Sequence, residues 1–254
     1  MGMIGKRGGE MPNQKVISHE TGDPRTAYES IGTQRERTLH RAIKYYLCPD
    51  EASHEIKIGR YIADICQGQT ITEIQTGSFG SLKGKLRALL PDYFIRIVYP
   101  VARKKTLHVI DELGILSSPR RSPKTGTWLE IGKELVRILD FLHHPHLEFL
   151  IFLVDVDEYR TKTIVTSRRK TSDRIDQYPK GEPVVYPLRS PMDYRHLFPT
   201  GLISPFTAKA FQQAAKLGTT ASVGALRVFR ELGIVVPTGK QGRATLYSLV
   251  EENL

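Results

Sequence analysis

The chain is poor in sulfur, has a single tryptophan and contains no long apolar run. Its two cysteines, Cys48 and Cys66, cannot build a disulfide framework, nor by themselves a thiolate zinc site. Reduced thiols in a cytoplasmic protein are the expectation. No apolar stretch reaches the ~18 residues that a membrane-spanning helix needs. The most apolar one, residues 147–156, is broken by Glu148 and Asp155 and reads as a buried strand, so no membrane partner is expected. Residues 1–16 carry Lys6, Arg7 and Lys15 without an apolar core, and no secretory signal is expected. GxSxG, HExxH and CxxC do not occur, which removes the commonest serine-hydrolase, zinc-peptidase and thiol-redox signatures.

What the chain has is positive charge. Its 254 residues hold 37 Lys+Arg against 27 Asp+Glu, a net charge of +10, in an otherwise ordinary composition of 40% hydrophobic and 25% charged residues. Such a surplus points to an anionic partner, and its distribution sharpens the point. Residues 160–189 hold eight basic and three acidic side chains, half of the surplus. A second cluster, Arg120, Arg121 and Lys124, lies in a Ser/Pro-rich loop. Two basic clusters on one chain favour nucleic acid over a merely solvated surface.

The spacing predicts a flexible tail over 1–30, a helix over 33–47 capped by Thr33 with Glu36 in the capping-box position, and extended segments over 55–66 and 70–76. Gly68-Gln69 suits a two-residue type II′ hairpin loop. A helix over 79–90, strands over 94–101 and 106–110, a helix over 128–142 and a strand over 147–156 complete a mixed α/β unit ending near residue 160. The run 161–191 reads as a basic linker. Helices over 205–217 and 219–232, followed by two apolar strands around a Gly/Lys/Arg tip, occupy the C-terminal part.

If the first hairpin turns on Gly68-Gln69, Asp64 lies directly opposite Glu73 on one face of the sheet, and Gln75 projects from that face as well. Facing like charges destabilise a sheet, and a divalent cation removes the conflict. His40 and His54 lie nearby in the reading and either assist or remain polar surface. His143, His144 and His146 sit where Pro145 ends a helix, a favourable place for histidine without any metal. Residues 80–85 fall one residue short of a phosphate-loop motif.

Ala63-Asp64, eight intervening residues and Glu73-Ile74-Gln75 resemble the PD-(D/E)xK nuclease superfamily, over about residues 33–101. That resemblance implies a restriction endonuclease-like mixed sheet flanked by helices, with Mg²⁺ or Mn²⁺ on Asp64 and Glu73, and Glu36 assisting from the first helix. Gln75 stands where most members have Lys. Some members are similar to this chain in having Gln, and others carry the lysine on the next helix, where Lys85 shares the inward face of Leu82 and Leu89 and Lys83 points to solvent. Residues 192–250 resemble the winged helix-turn-helix family, which implies Arg227 and Arg230 on a recognition helix and Lys240 and Arg243 on the wing.

The expectation is an α/β chain with a nuclease-like domain over 31–160, a linker and a winged helix over 192–254. It would hydrolyse DNA phosphodiester bonds through Asp64, Glu73, Gln75, Glu36 and Lys85. Arg168, Arg169, Lys170, Arg120, Arg121 and Lys124 would add phosphate contacts. The alternative is a DNA-binding regulator with a degenerate nuclease-like domain. A winged helix serving as a protein-docking module is a third reading, and homodimerisation is left open.

Overall fold

The computed structural model describes residues 38–162, 164–165, 170–171 and 173–251. Its first described element is helix α1 (Thr38–Leu47), which buries Leu39 and Ile43 at helical spacing. Strands β1 (His54–Ile58), β2 (Tyr61–Gln67) and β3 (Thr70–Ile74) form an antiparallel meander, followed by helix α2 (Lys83–Leu89). The chain then crosses to β4 (Phe94–Ile110), parallel to β3, passes the short β5 (Arg120–Arg121) and the one-turn helix α3 (Gly132–Leu135), and enters β6 (Leu147–Thr161), parallel to β4. Beyond the small hairpin β7 (Ile164–Val165) and β8 (Lys170–Thr171), strand β9 (Arg174–Leu188) pairs antiparallel with β6. The large sheet runs β1-β2-β3-β4-β6-β9, with β5 on the free edge of β4.

Both faces of this sheet are covered, as its apolar central strands require. On one face α1 lays Leu39 and Ile43 over Ile74, Val98 and Phe152. On the other, α2 and α3 pack Leu86, Leu89 and Leu135 over Ile97, Phe149 and Ile151. Each such aliphatic or aromatic side chain contributes about 1.5–3 kcal/mol through burial. Among the described residues no helix is long and apolar enough to cross a membrane.

Four expectations are corrected. The extended run 55–66 is a hairpin, because Gly59 adopts φ 57° and turns the chain between β1 and β2. The two strands over 94–110 are one, since β6 continues alongside and a register shift between Ala102 and Lys105 absorbs the irregularity. The helix over 128–142 is a 3₁₀ turn, α3 and a second 3₁₀ turn, because Ile138 leaves helical dihedrals at φ −130° and ψ 32°. About half of the presumed linker is β9, whose prolines are tolerated because it is the edge of the sheet.

The C-terminal part consists of α4 (Pro191–Arg195), β10 (Phe206–Thr207), α5 (Ala208–Ala215), α6 (Thr219–Glu231) and the hairpin β11 (Val235–Gln241) and β12 (Ala244–Leu249). Its three strands are ordered β10-β12-β11. Phe198, Phe206, Phe211 and Phe229 pack against one another at its centre in tilted and edge-on contacts. This part shares one continuous hydrophobic core with the large sheet. The contact is closest where α6 crosses α3: a Cβ on Gly132 would lie 2.6 Å from the Ala225 Cα, and one on Gly224 would lie 2.5 Å from the Gly132 carbonyl oxygen. Only glycine permits that approach.

Candidate active site

The β2–β3 hairpin turns at Gly68, which takes φ 61°, and its ladder runs Gln67↔Thr70, Cys66↔Ile71, Ile65↔Thr72. Continued by one step, this register sets Asp64 opposite Glu73, on a shared face. The ladder stops there. β3 keeps its pairing with β4 through Glu73↔Ile97 and Ile74↔Val98, so β2 is the strand that departs. The amide of Ile74 donates to Asp64 Oδ2 at 2.7 Å instead of to a backbone carbonyl of β2. A carboxylate thus stands in for the missing ladder bond and is fixed by it.

His40 on α1 reaches the same oxygen, its Nε2 3.2 Å from Asp64 Oδ2. Glu73 is buried; its Oε2 lies 2.6 Å from the ammonium of Lys85, while its Oε1 is buried without a hydrogen-bond partner. Lys85 also donates to the Ile62 carbonyl at 2.5 Å, tying α2 to the departing strand. The placement follows from sequence spacing: α2 buries Leu86 and Leu89, with Leu82 buried just ahead of it. Lys85 shares that side of the helix, and Lys83 is exposed.

The two carboxyls have opposite titration behaviour. Burial pushes Glu73 up, the Asp64 charge pushes it further, and Lys85 offsets only part of this, so it rises from 4.5 to about 7. For Asp64 burial also acts upward, but the His40 hydrogen bond and charge, the Ile74 amide and Lys85 together outweigh it and hold the carboxyl below its ordinary value. An ionised acid beside one that exchanges its proton near neutrality is the arrangement expected when like charges are forced together.

Gln75 is not joined to the acids by a hydrogen bond. Its side-chain nitrogen donates to the Ser78 carbonyl at 2.9 Å and to Ser81 Oγ at 3.1 Å, bracing the turn that leads into α2. Glu36, Arg168 and Arg169 lie outside the described residues, as does the side chain of Lys170. Arg120 and Arg121 are exposed on β5, and Lys124 pairs with Glu130 at 3.0 Å. Arg227 is exposed on α6, Arg230 lies 5.8 Å from the ring centre of Tyr247, and Lys240 and Arg243 are exposed on the β11–β12 hairpin. On α6, Gly224 and Ala225 pack against α3, while Thr220, Val223, Arg227 and Arg230 are exposed. The rings of His144 and His146 meet edge-on, 5.5 Å between centres, and among the described residues no group of three or more His, Cys, Asp or Glu is disposed to hold a metal ion.

The fold and site define a mixed α/β protein with an acid pair at the parting of two strands of its sheet. The chain belongs to the family described as a domain of unknown function (DUF8091), which matches residues 37–182 and so contains His40, Asp64, Glu73 and Lys85. It is similar to an uncharacterized protein of Treponema pallidum (strain Nichols), 31% identical over 225 residues that cover 86% of this chain and 87% of the relative. No solved structure matches the chain.

Proposed function

We propose that the protein is a metal-dependent phosphodiesterase acting on DNA, with a restriction endonuclease-like catalytic unit and a winged helix fused to it. The observation that carries this reading is the convergence of Asp64, Glu73 and Lys85 where β2 leaves β3, with one buried oxygen of Glu73 left unsatisfied. A buried carboxylate oxygen without a partner is costly, and a hard cation satisfies it. The donor set suits Mg²⁺ or Mn²⁺, which take one or two carboxylates and keep several waters. Asp64 and Glu73 would hold the ion, helped by the carbonyl of Ile74. Bound there, it supplies positive charge to the scissile phosphate and a bound water of lowered pKa.

The chain's own groups supply the rest. His40 and the Ile74 amide keep Asp64 ionised and fix its orientation. Lys85 carries a positive charge beside Glu73 that would face an incoming phosphate. The outward stripe of α6 and the basic hairpin tip supply phosphate contacts, and the close α3–α6 crossing holds them in fixed relation to the acids.

The test is cleavage of linear, supercoiled, branched and single-stranded DNA in Mg²⁺ and in Mn²⁺ by the native chain and by Asp64→Ala and Glu73→Ala. Cutting by the native chain alone supports the reading. A second reading, a DNA-binding regulator with a degenerate catalytic unit, is favoured by Gln75, which is neutral and engaged with Ser78 and Ser81. Binding to DNA by all three proteins without cutting of any substrate selects it.

A further inference from the structure

Beside the acid pair is a cleft of ≈ 210 Å³ whose lining is unusually cationic. It lies along the free edge of β4, between the end of β3 and the 120–126 segment. One wall begins at Thr76, two residues past Ile74, and another at Leu39, the neighbour of His40. Two residues, Ile74 and Gln75, separate Thr76 from Glu73, at most about 10 Å of reach.

Lys105 from β4, Lys124 from the basic loop, Lys133 from α3 and Arg174 from β9 converge on this cleft, with Glu130 the acidic group among the lining residues. Four separate segments supply the four cations, so the cluster is a product of the fold and not of one basic run. Lys105 is held by Glu158 at 3.2 Å and Lys124 by Glu130 at 3.0 Å. Lys133 has no ion-pair partner among the described residues. Glu158 and Glu130 offset two of these four charges and Arg174 also donates to Gln177 at 3.1 Å, yet the cations still outnumber the acids around the concavity, which favours an anion there.

We infer that this cleft binds a phosphomonoester, the terminal phosphate of a DNA strand whose scissile bond lies at Asp64 and Glu73. A monoester carries about −1.5 to −2 charges at neutral pH against −1 for an internal diester, and so better matches a site whose four cations outnumber Glu130 and Glu158 by two. At ~3.4 Å of rise per nucleotide on one strand, the Thr76 wall of the cleft lies at most about three nucleotides from the acid pair. The site therefore anchors an end and directs hydrolysis to bonds close to it. The inference rests on the hydrolase reading for which bond is cut, though not for the binding itself.

The experiment uses the full chain in EDTA, where no cleavage intervenes. Fluorescence anisotropy is measured with one single-stranded oligonucleotide carrying a 5′-phosphate, a 3′-phosphate or hydroxyls at both ends, with inorganic phosphate as competitor. The expected result is about tenfold tighter binding of one phosphorylated form, the value of a charge-assisted contact, abolished by inorganic phosphate. Lys133→Gln and Arg174→Gln, each checked for an unchanged melting transition, should bring that ratio close to one. Equal affinities for all three oligonucleotides overturn the inference, and so does a preference that both variants leave intact. A preference that persists, sensitive to both variants, in a chain that cuts nothing in Mg²⁺ or Mn²⁺ refutes the hydrolase reading and leaves the phosphate site established.

Discussion

The amide of Ile74 donates to the carboxylate of Asp64, 2.7 Å away, at the step where the β2–β3 ladder would otherwise continue. A backbone donor next to Glu73 is thus committed to the opposing acid, and the two acids are held together by the strand geometry itself. Stability is given up there, because Glu73 is buried beside a second acid.

Replacing Glu73 should expose that cost. Its carboxyl titrates near 7 in the folded chain against an ordinary value of 4.5. Between these pH values the folded state binds the extra proton, so stability falls as pH rises through the window and the loss is complete above it. Glu73→Gln should therefore be more stable than the native chain at pH 8, by on the order of 2 kcal/mol, with the gain vanishing towards pH 4. Urea denaturation across this pH range checks it.

Lys85 offsets part of the upward pressure on Glu73. Lys85→Met should move the Glu73 titration further up and shift the alkaline-side rise of divalent-ion binding in the same direction. If the protein cleaves DNA as proposed, removing this charge should also lower cleavage by about 10²-fold or more. Metal titrations and single-turnover cleavage at several pH values read both effects.

The C-terminal part should fail as a unit if its contact with α3 is filled. A side chain on Gly224 meets the backbone of Gly132, which cannot move aside as a flexible side chain would. Gly224→Val should cost about 1–3 kcal/mol or more and loosen α6 from α3. Thermal melts and hydrogen exchange along α6 measure this, and exposed Val223→Ala on the same helix is the neutral control.

Phosphate contacts by the hairpin tip should appear in the salt dependence of DNA binding. Lys240→Ala and Arg243→Ala should each flatten the slope of log K against log salt by about 0.9 on duplex DNA without changing its sequence preference. Fluorescence anisotropy at a series of salt concentrations is sufficient.

The hairpin carrying the acids was legible because Gly68 is the residue a two-residue loop needs, and one turn position fixes the whole register. Lys85 was legible from its spacing to Leu82 and Leu89. The identity of β9 was not, since Pro179, Gly181, Pro183 and Pro187 among basic residues read as a linker unless the strand is known to be an edge. His40 was placed near the site but not assigned to Asp64, because the angle at which α1 crosses the sheet is set by packing and leaves no local signal. The cationic cleft was legible only in part: Lys124 and Arg174 belonged to the two basic clusters, but Lys105 and Lys133 did not, and topology alone brings the four together. Gln75 was expected beside Glu73, yet β3 ends at Ile74 and the following turn captures its side chain.

The central claim is that Asp64 and Glu73 together bind one divalent cation. Isothermal titration of Mn²⁺ into the native chain at pH 6.5, in two buffers of different ionisation enthalpy, should give one site with release of a fraction of a proton as Glu73 ionises, and Asp64→Asn and Glu73→Gln should each abolish the binding. Equal heats from the native chain and both variants, or binding without proton release, would contradict it.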